Sequence, residues 1–200
     1  MRTLIAVPCM ERVHTLFMTS LLSLEKPDGT EVAVSDSSLV YEARNILAHK
    51  AIVDGFDRVL WIDSDMRFDP DLLIRLGKHL DDGKEMVCGL YFTRKAPHRP
   101  CIYKVLGQRK EGEGVIPVAD SFTDYPKDSV FEVQGCGFGA VLMTVDLIKR
   151  VGALPFWPLE GFGEDFSFCL RARQQGAKTW CDSSAKVDHL GMLIIKESTR

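Results

Sequence analysis

Long apolar runs are missing from this sequence, and no stretch approaches the roughly 18 residues that a bilayer-spanning helix requires. Paired cysteines are missing as well. The six cysteines (Cys9, Cys88, Cys101, Cys136, Cys169 and Cys181) form no CxxC, and most lie in apolar segments. That distribution points to reduced, partly buried thiols of a cytoplasmic protein rather than to a disulfide framework or a sulfur-ligated metal. Charge of one sign is scarce too. Lys+Arg 25 against Asp+Glu 28 leaves a net charge of -3, so nothing draws the whole chain toward nucleic acid or an anionic membrane. Internal repeats, low-complexity segments and linker-like stretches are absent. At 200 residues, one domain over 1–200 is expected, long enough to bury a sizeable core. The opening Met1-Arg2-Thr3-Leu4-Ile5-Ala6-Val7-Pro8 is too short for a secretory leader and reads as a first strand.

Three further absences narrow the chemistry. No glycine follows the first strand in Pro8-Cys9-Met10-Glu11-Arg12-Val13, where a sugar nucleotidyltransferase would carry its phosphate loop. Gly135, Gly137 and Gly139 have the spacing GxGxG with no helix clearly following, which is not the dinucleotide fingerprint. Arg67 occupies the position that a DxDx[TV] phosphatase gives to Thr or Val.

What is present is an alternation of strand and helix patterns. Leu4–Val7, Glu31–Ser35, Arg58–Ile62 and Met86–Phe92 read as strands; Val13–Leu24, Val40–Val53 and Asp71–Leu80 read as the helices between them. Gly55 closes the second helix and Pro70 precedes the third. This order predicts an α/β fold with a mostly parallel central sheet flanked by helices. The second half is less regular. It offers a basic loop from Arg94 to Pro100, a charged hairpin or loop at Gly107–Gly114, and a strand at Val130–Val133. Helices follow at Thr144–Val151 and Glu164–Gln175, then short extended pieces at Lys178–Cys181 and Lys186–His189.

Asp63 and Asp65 stand directly after the apolar run Val59-Leu60-Trp61-Ile62. In an open parallel sheet, ligands bind beyond the carboxyl ends of the strands. Alternation would point both carboxylates the same way, where they repel unless a cation joins them. Magnesium or manganese, held by one or two carboxylates plus substrate phosphates, suits such a pair; a solvated strand end is the plain alternative. A second acidic pair, Glu164 and Asp165, opens a helix after the glycine- and aromatic-rich Gly161-Phe162-Gly163. Acids belong in a first helical turn, where the dipole favours their ionised form. The loop before them also suits a pocket wall. His189, beside apolar residues, is either structural or a nitrogen ligand to a metal at Asp65.

Four segments, in order, resemble the family 2 glycosyltransferases of the GT-A fold. These are Ala43-Arg44-Asn45, Val59-Leu60-Trp61-Ile62-Asp63-Ser64-Asp65, Gly135-Cys136-Gly137-Phe138-Gly139-Ala140-Val141-Leu142-Met143, and Gly163-Glu164-Asp165-Phe166-Ser167-Phe168-Cys169-Leu170-Arg171-Ala172. The compact length and Gly89-Leu90-Tyr91-Phe92-Thr93-Arg94-Lys95 look most like short members carried by phages and prophages. The resemblance implies inverting transfer of a sugar from a nucleotide-diphosphate donor, a UDP-sugar first among them, to an acceptor hydroxyl. The acceptor is unspecified: polysaccharide, protein, small molecule or modified DNA base.

It also implies roles. Asp65 is the main ligand to Mn2+ or Mg2+, with a late histidine, His189, beside it, and Asp63 helps hold the metal or the donor ribose. Arg44 and Asp36 belong to the donor site, with Asp36 at the base. Asp165 is the general base, and Glu164 is its neighbour in the catalytic pair. Two departures stand out: Cys9-Met10-Glu11-Arg12 replaces the asparagine usual after the first-strand proline, and the acidic, glycine-containing sequence after the second strand is absent. Arg94, Lys95 and Arg99 suit a phosphate or an acidic acceptor as well as they suit a solvated loop. A nucleotide-sugar or carbohydrate-binding module without catalysis, and a sugar nucleotidyltransferase, remain the alternative functions.

Overall fold

The computed structural model describes residues 1–112 and 114–191, the side chains of 114 and 115 excepted. The final segment, Gly191–Arg200, is expected from the sequence to be mobile without ligand, as lids over donor sites order on binding; beyond Gly191 it lies outside the described residues.

The central sheet grows from strands whose residues are apolar without interruption. β1 (Thr3–Cys9) is buried along its whole length and pairs in parallel with both β2 (Thr30–Asp36) and β3 (Arg58–Ile62). Alternation along β1 sends Leu4 and Ala6 to one core and Ile5 and Val7 to the other. Both faces of the sheet are therefore covered, which is why the strand reads as continuous hydrophobic sequence.

On the first face lies α2 (Val40–Val53), whose buried Ala43, Ala48 and Ala51 let its backbone approach the sheet closely. It ends at Gly55, which takes the left-handed φ of 70° that a helix stop favours. α4 (Val145–Val151) and α5 (Glu164–Gln174) complete that layer. On the second face lie α1 (Thr15–Ser23), capped by the His14 imidazole accepting from the Leu16 amide at 3.1 Å, and α3 (Leu72–Asp81). The buried Leu72, Leu73, Leu76 and Leu80 of α3 form one stripe at helical spacing.

The remaining strands of this sheet are β4 (Met66–Phe68), β5 (Met86–Leu90), β8 (Val130–Val133), β10 (Ala140–Thr144) and β11 (Thr179–His189). Across the sheet the order is β2-β1-β3-β10-β5-β11-β4, with β8 also on β11. β10 lies antiparallel between β3 and β5, the one reversal inside an otherwise parallel centre. A second sheet, β7-β6-β9, is built from Ile102–Glu111 (β6), Gly114–Ser121 (β7) and Gly135–Cys136 (β9).

The charged stretch Gly107–Gly114 belongs to the end of the long β6–β7 hairpin, one of the two forms expected for it. The glycine-bearing segment 135–143 divides between β9 and β10, in two sheets. Two sequence expectations change here. The pieces Lys178–Cys181 and Lys186–His189 are one strand, interrupted by a shift of register between Asp182 and Lys186. The strand predicted over Met86–Phe92 ends at Leu90. All six cysteines are free and buried, more deeply than expected.

Candidate active site

β3 delivers Asp63 and Asp65 to the carboxyl end of the sheet. The turn between β3 and β4 is fixed from two sides: the Asp63 amide donates to the Gly139 carbonyl at 3.2 Å, and the His14 amide donates to the Ser64 carbonyl at 3.1 Å. β11 then brings a residue from the far end of the chain. After its register shift it leaves β5 for β4, pairing His189 with Met66, and the Leu190 amide donates to the Asp65 carbonyl at 2.8 Å. His189 is thereby set beside Asp65, with Nε2 3.4 Å from Asp65 Oδ2. Its other nitrogen, Nδ1, is 2.9 Å from the Phe92 carbonyl, the kind of outer contact that fixes the ring of a metal-binding histidine.

Arg94 Nη1 is 2.9 Å from the same Asp65 oxygen. Burial alone would raise the Asp65 carboxyl, but the His189 imidazole and the Arg94 guanidinium outweigh it and hold the group below its ordinary value.

α2 and α5 supply the other side. Arg44, on α2, is buried; its Nη2 donates to Asp63 Oδ1 at 2.8 Å and its Nε to Glu164 Oε1 at 3.3 Å. Nη1 has no hydrogen-bond partner, and the guanidinium carbon lies 5.3 Å from the Phe138 ring and 5.8 Å from the Trp61 ring. Aromatic rings thus flank the guanidinium alongside the two carboxylates. Burial pushes Asp63 up, with Asp65 and Glu164 adding to it and Arg44 opposing.

Asp165 differs from the expectation drawn from its helix position. Burial first, then the Glu164 charge, raises it to about 7, against the pull of the Phe166 amide and Arg44. The helix terminus does bond it, Phe166 N–H to Oδ1 at 2.7 Å, but that does not keep it a low-pKa carboxylate. The next residue, Phe166, packs edge-on against Tyr103, ring centroids 4.6 Å apart, which sets the start of α5 against the start of β6.

Between these elements opens a cavity of about 450 Å³, lined by Arg44, Asp63, Ser64, Asp65, Arg94, Glu164 and His189 together with the chain after β1 and the start of α2. Asp165 is not on its wall. Asp36 is exposed at the end of β2 opposite Cys9 and is not on the wall either, whereas Ser37 and Ser38 are.

A divalent cation fits this donor set in part. Asp65 and His189 face each other as carboxylate and imidazole, and Asp63 offers its second oxygen, since Oδ1 is engaged by Arg44. Among the described residues no group of three or more His, Cys, Asp and Glu side chains is assembled tightly enough to hold a metal. The trio Asp63, Asp65 and His189 is therefore not preassembled. Two protein ligands with waters and phosphate oxygens are the ordinary supply for Mg2+ or Mn2+.

Sequence reasoning missed Tyr91. Its hydroxyl accepts from the Gly139 amide at 3.2 Å, and its ring meets the His189 ring edge-on, centroids 5.6 Å apart. A Cβ on Gly137 or Gly139 would come within 2.1 Å or 2.8 Å of Tyr91. The glycines at 137 and 139 were the available signal: they make room for this ring.

No family model matches the sequence, and no curated protein matches it. Solved structures do. The A197 protein of STIV superposes with a TM-score of 0.67 at 18% identity, over 98% of this chain and 97% of that one. GalNAc-T7, crystallised with UDP, GalNAc and Mn2+, gives 0.64 at 11% identity over 96% of this chain. TarS of S. aureus, residues 1–349, gives 0.57 at 14% identity over 95% of this chain. The chain spans 44% of the GalNAc-T7 chain and 60% of the TarS chain. These likenesses place the chain in the GT-A glycosyltransferase fold, a mostly parallel sheet between helices. No helix among the described residues is long and apolar enough to cross a membrane.

Proposed function

We propose that the protein is a divalent-metal-assisted, inverting glycosyltransferase that moves a sugar from a nucleotide-diphosphate donor to an acceptor hydroxyl. The observation that carries this reading is the Asp65–His189 pair, brought together from distant parts of the chain in the wall of a cavity of about 450 Å³. Fold alone does not fix chemistry, and a likeness to GalNAc-T7 adds only that this fold accommodates UDP and Mn2+ in that protein.

Asp65 and His189, with Asp63, would hold Mn2+ or Mg2+. A cation held there supplies positive charge against the departing diphosphate, worth several kcal/mol. Arg44 keeps Asp63 and Glu164 in place and offsets part of the negative charge that would otherwise repel the donor. Ser37 and Ser38 form the wall near β2, with Asp36 just behind them at the base end of the donor. Asp165 accepts the proton of the acceptor hydroxyl as its oxygen bonds to the anomeric carbon and the diphosphate leaves with the bonding pair. A carboxyl raised to about 7 is well matched to that task at neutral pH. Glu164, bonded to Arg44, holds the acceptor side.

A screen of nucleotide sugars for thermal stabilisation and donor hydrolysis, with and without Mn2+, tests the proposal. UDP-sugars should stabilise the protein only with the metal, and Asp65→Ala should abolish that effect while staying folded. Unchanged Mn2+ and nucleotide binding by Asp65→Ala, measured by calorimetry, would overturn the metal assignment. A non-catalytic binding module would bind the donor yet give no hydrolysis or transfer that depends on Asp165.

A further inference from the structure

The metal position has a second claimant. Arg94 Nη1 and His189 Nε2 both address Asp65 Oδ2, at 2.9 Å and 3.4 Å. One carboxylate oxygen cannot serve the guanidinium fully and a divalent cation as well, so one weakens the other. Arg94 is built to leave. Its side chain is 54% exposed, and its aliphatic stem lies over Gly191. The loop that carries it is held independently: the Thr93 hydroxyl accepts from the Arg99 amide at 3.0 Å, and the Thr93 amide donates to the Arg99 carbonyl at 2.9 Å. The guanidinium can therefore rotate away without opening the core. It lines the cavity above Asp63 and Asp65 and also a neighbouring one of about 410 Å³ beyond His189, so a rotated Arg94 stays within the cleft.

We propose that Arg94 is a displaceable plug of the cation position. It neutralises Asp65 while the cleft is empty, yields that oxygen to a divalent cation, and then pairs with the diphosphate oxygens of the donor. The inference rests on the glycosyltransferase reading and deepens it. Its consequence is a pair of effects with opposite signs: Arg94 opposes cation binding alone and favours nucleotide-diphosphate binding once the cation is present. A residue that merely supported the loop would shift both the same way.

Calorimetric titration of the full chain with Mn2+ alone, then with UDP at saturating Mn2+, separates the cases for wild type, Arg94→Ala and Arg94→Lys. Arg94→Ala should bind Mn2+ about two- to fivefold more tightly, the range of an exposed ion pair, and UDP about tenfold more weakly, as expected for a lost charge-assisted contact. Arg94→Lys should fall between, because ammonium keeps the charge and loses the fork. Equal Mn2+ affinity in wild type and Arg94→Ala overturns the plug; equal UDP affinity overturns the phosphate contact. Both failures leave the metal reading standing. If neither protein binds Mn2+ or Mg2+, the metal reading itself fails and takes the plug with it. Binding of Mn2+ by Arg94→Ala alone would show the plug in its strongest form.

Discussion

Each of the two acidic pairs gives one carboxylate to Arg44: Asp63 through Oδ1 and Glu164 through Oε1. The partners left over, Asp65 and Asp165, then part company. Asp65, at the open end of the sheet, meets His189 and Arg94 and is held below its ordinary value. Asp165, at the start of α5, is half-buried beside Glu164 and within reach of the Asp63 charge, and burial raises it to about 7. Two carboxylates of the same chemistry thus become a standing anion suited to a cation and a group that titrates near neutrality. Environments that push two acids apart in this way divide the roles of ligand and proton acceptor.

The largest way to break this symmetry is to remove what the pairs share. Arg44→Ala strips the buried cation from Asp63 and Glu164 and leaves a hole against Phe138 and Trp61. Since both carboxylates keep some contact with water, the cost should lie toward the lower end of the roughly 3–5 kcal/mol typical of a broken buried pair. In thermal melting that is a drop of roughly 6–12 °C. Adding Glu164→Gln to Arg44→Ala should recover part of the loss. A melting temperature within about 2 °C of wild type would show that Arg44 does not hold the pairs together.

The next test separates the two leftover carboxylates. Asp165→Asn keeps the shape and cannot take a proton, so donor turnover should fall at least about 10²-fold, with Mn2+ and UDP affinity close to wild type. Asp65→Ala should do the reverse, losing binding first. The pH dependence carries a sign. The folded value of about 7 exceeds the ordinary 3.8, so the folded state holds this proton more tightly. Its contribution to stability is complete below about pH 4 and is lost as pH rises through about 7. Wild type should therefore lose stability relative to Asp165→Asn across that window in paired denaturant titrations. Turnover should rise over the upper part of it, as the base ionises. Full turnover by Asp165→Asn would move the base to Glu164.

How much of this the sequence reveals depends on how local each cause is. β1 and β3 are legible because burial on both faces leaves uninterrupted apolar runs, and the DxD position follows from where β3 ends. The nearness of His189 to Asp65 came from a family resemblance; no local pattern encodes the register shift in β11 that delivers it. The raised Asp165 ran against the local rule. A helix terminus favours the carboxylate, yet burial beside Glu164, which the order of residues does not display, outweighs it. The reversal of β10 and the Arg94–Asp65 contact are likewise set by packing between distant segments. Asp36 shows the opposite limit: strand end and residue type matched the donor site, but its neighbours Ser37 and Ser38 form the wall.

The smallest predicted effect concerns the residue that links both sides of the Asp63–Asp65 turn. Tyr91 accepts from the Gly139 amide, and Gly139 in turn accepts from the Asp63 amide, so the phenol stands two hydrogen bonds from the first aspartate. Its ring meanwhile lies edge-on to His189, which faces the second. Tyr91→Phe keeps the ring contact and removes the acceptor, leaving the Gly139 amide unpaired in a buried place. That should destabilise by about 1 kcal/mol, near the low end for a buried donor that loses its partner. Cation binding should weaken by less than about threefold, because the His189 side of the support is intact and 1.4 kcal/mol would be needed for tenfold. Tyr91→Ala removes both supports, so it should weaken Mn2+ binding clearly more than Tyr91→Phe does. If the two variants bound Mn2+ equally, the ring contact would have no part in placing His189. If Tyr91→Phe matched wild type in both stability and Mn2+ affinity, the chain from Tyr91 through Gly139 to Asp63 would not support the site.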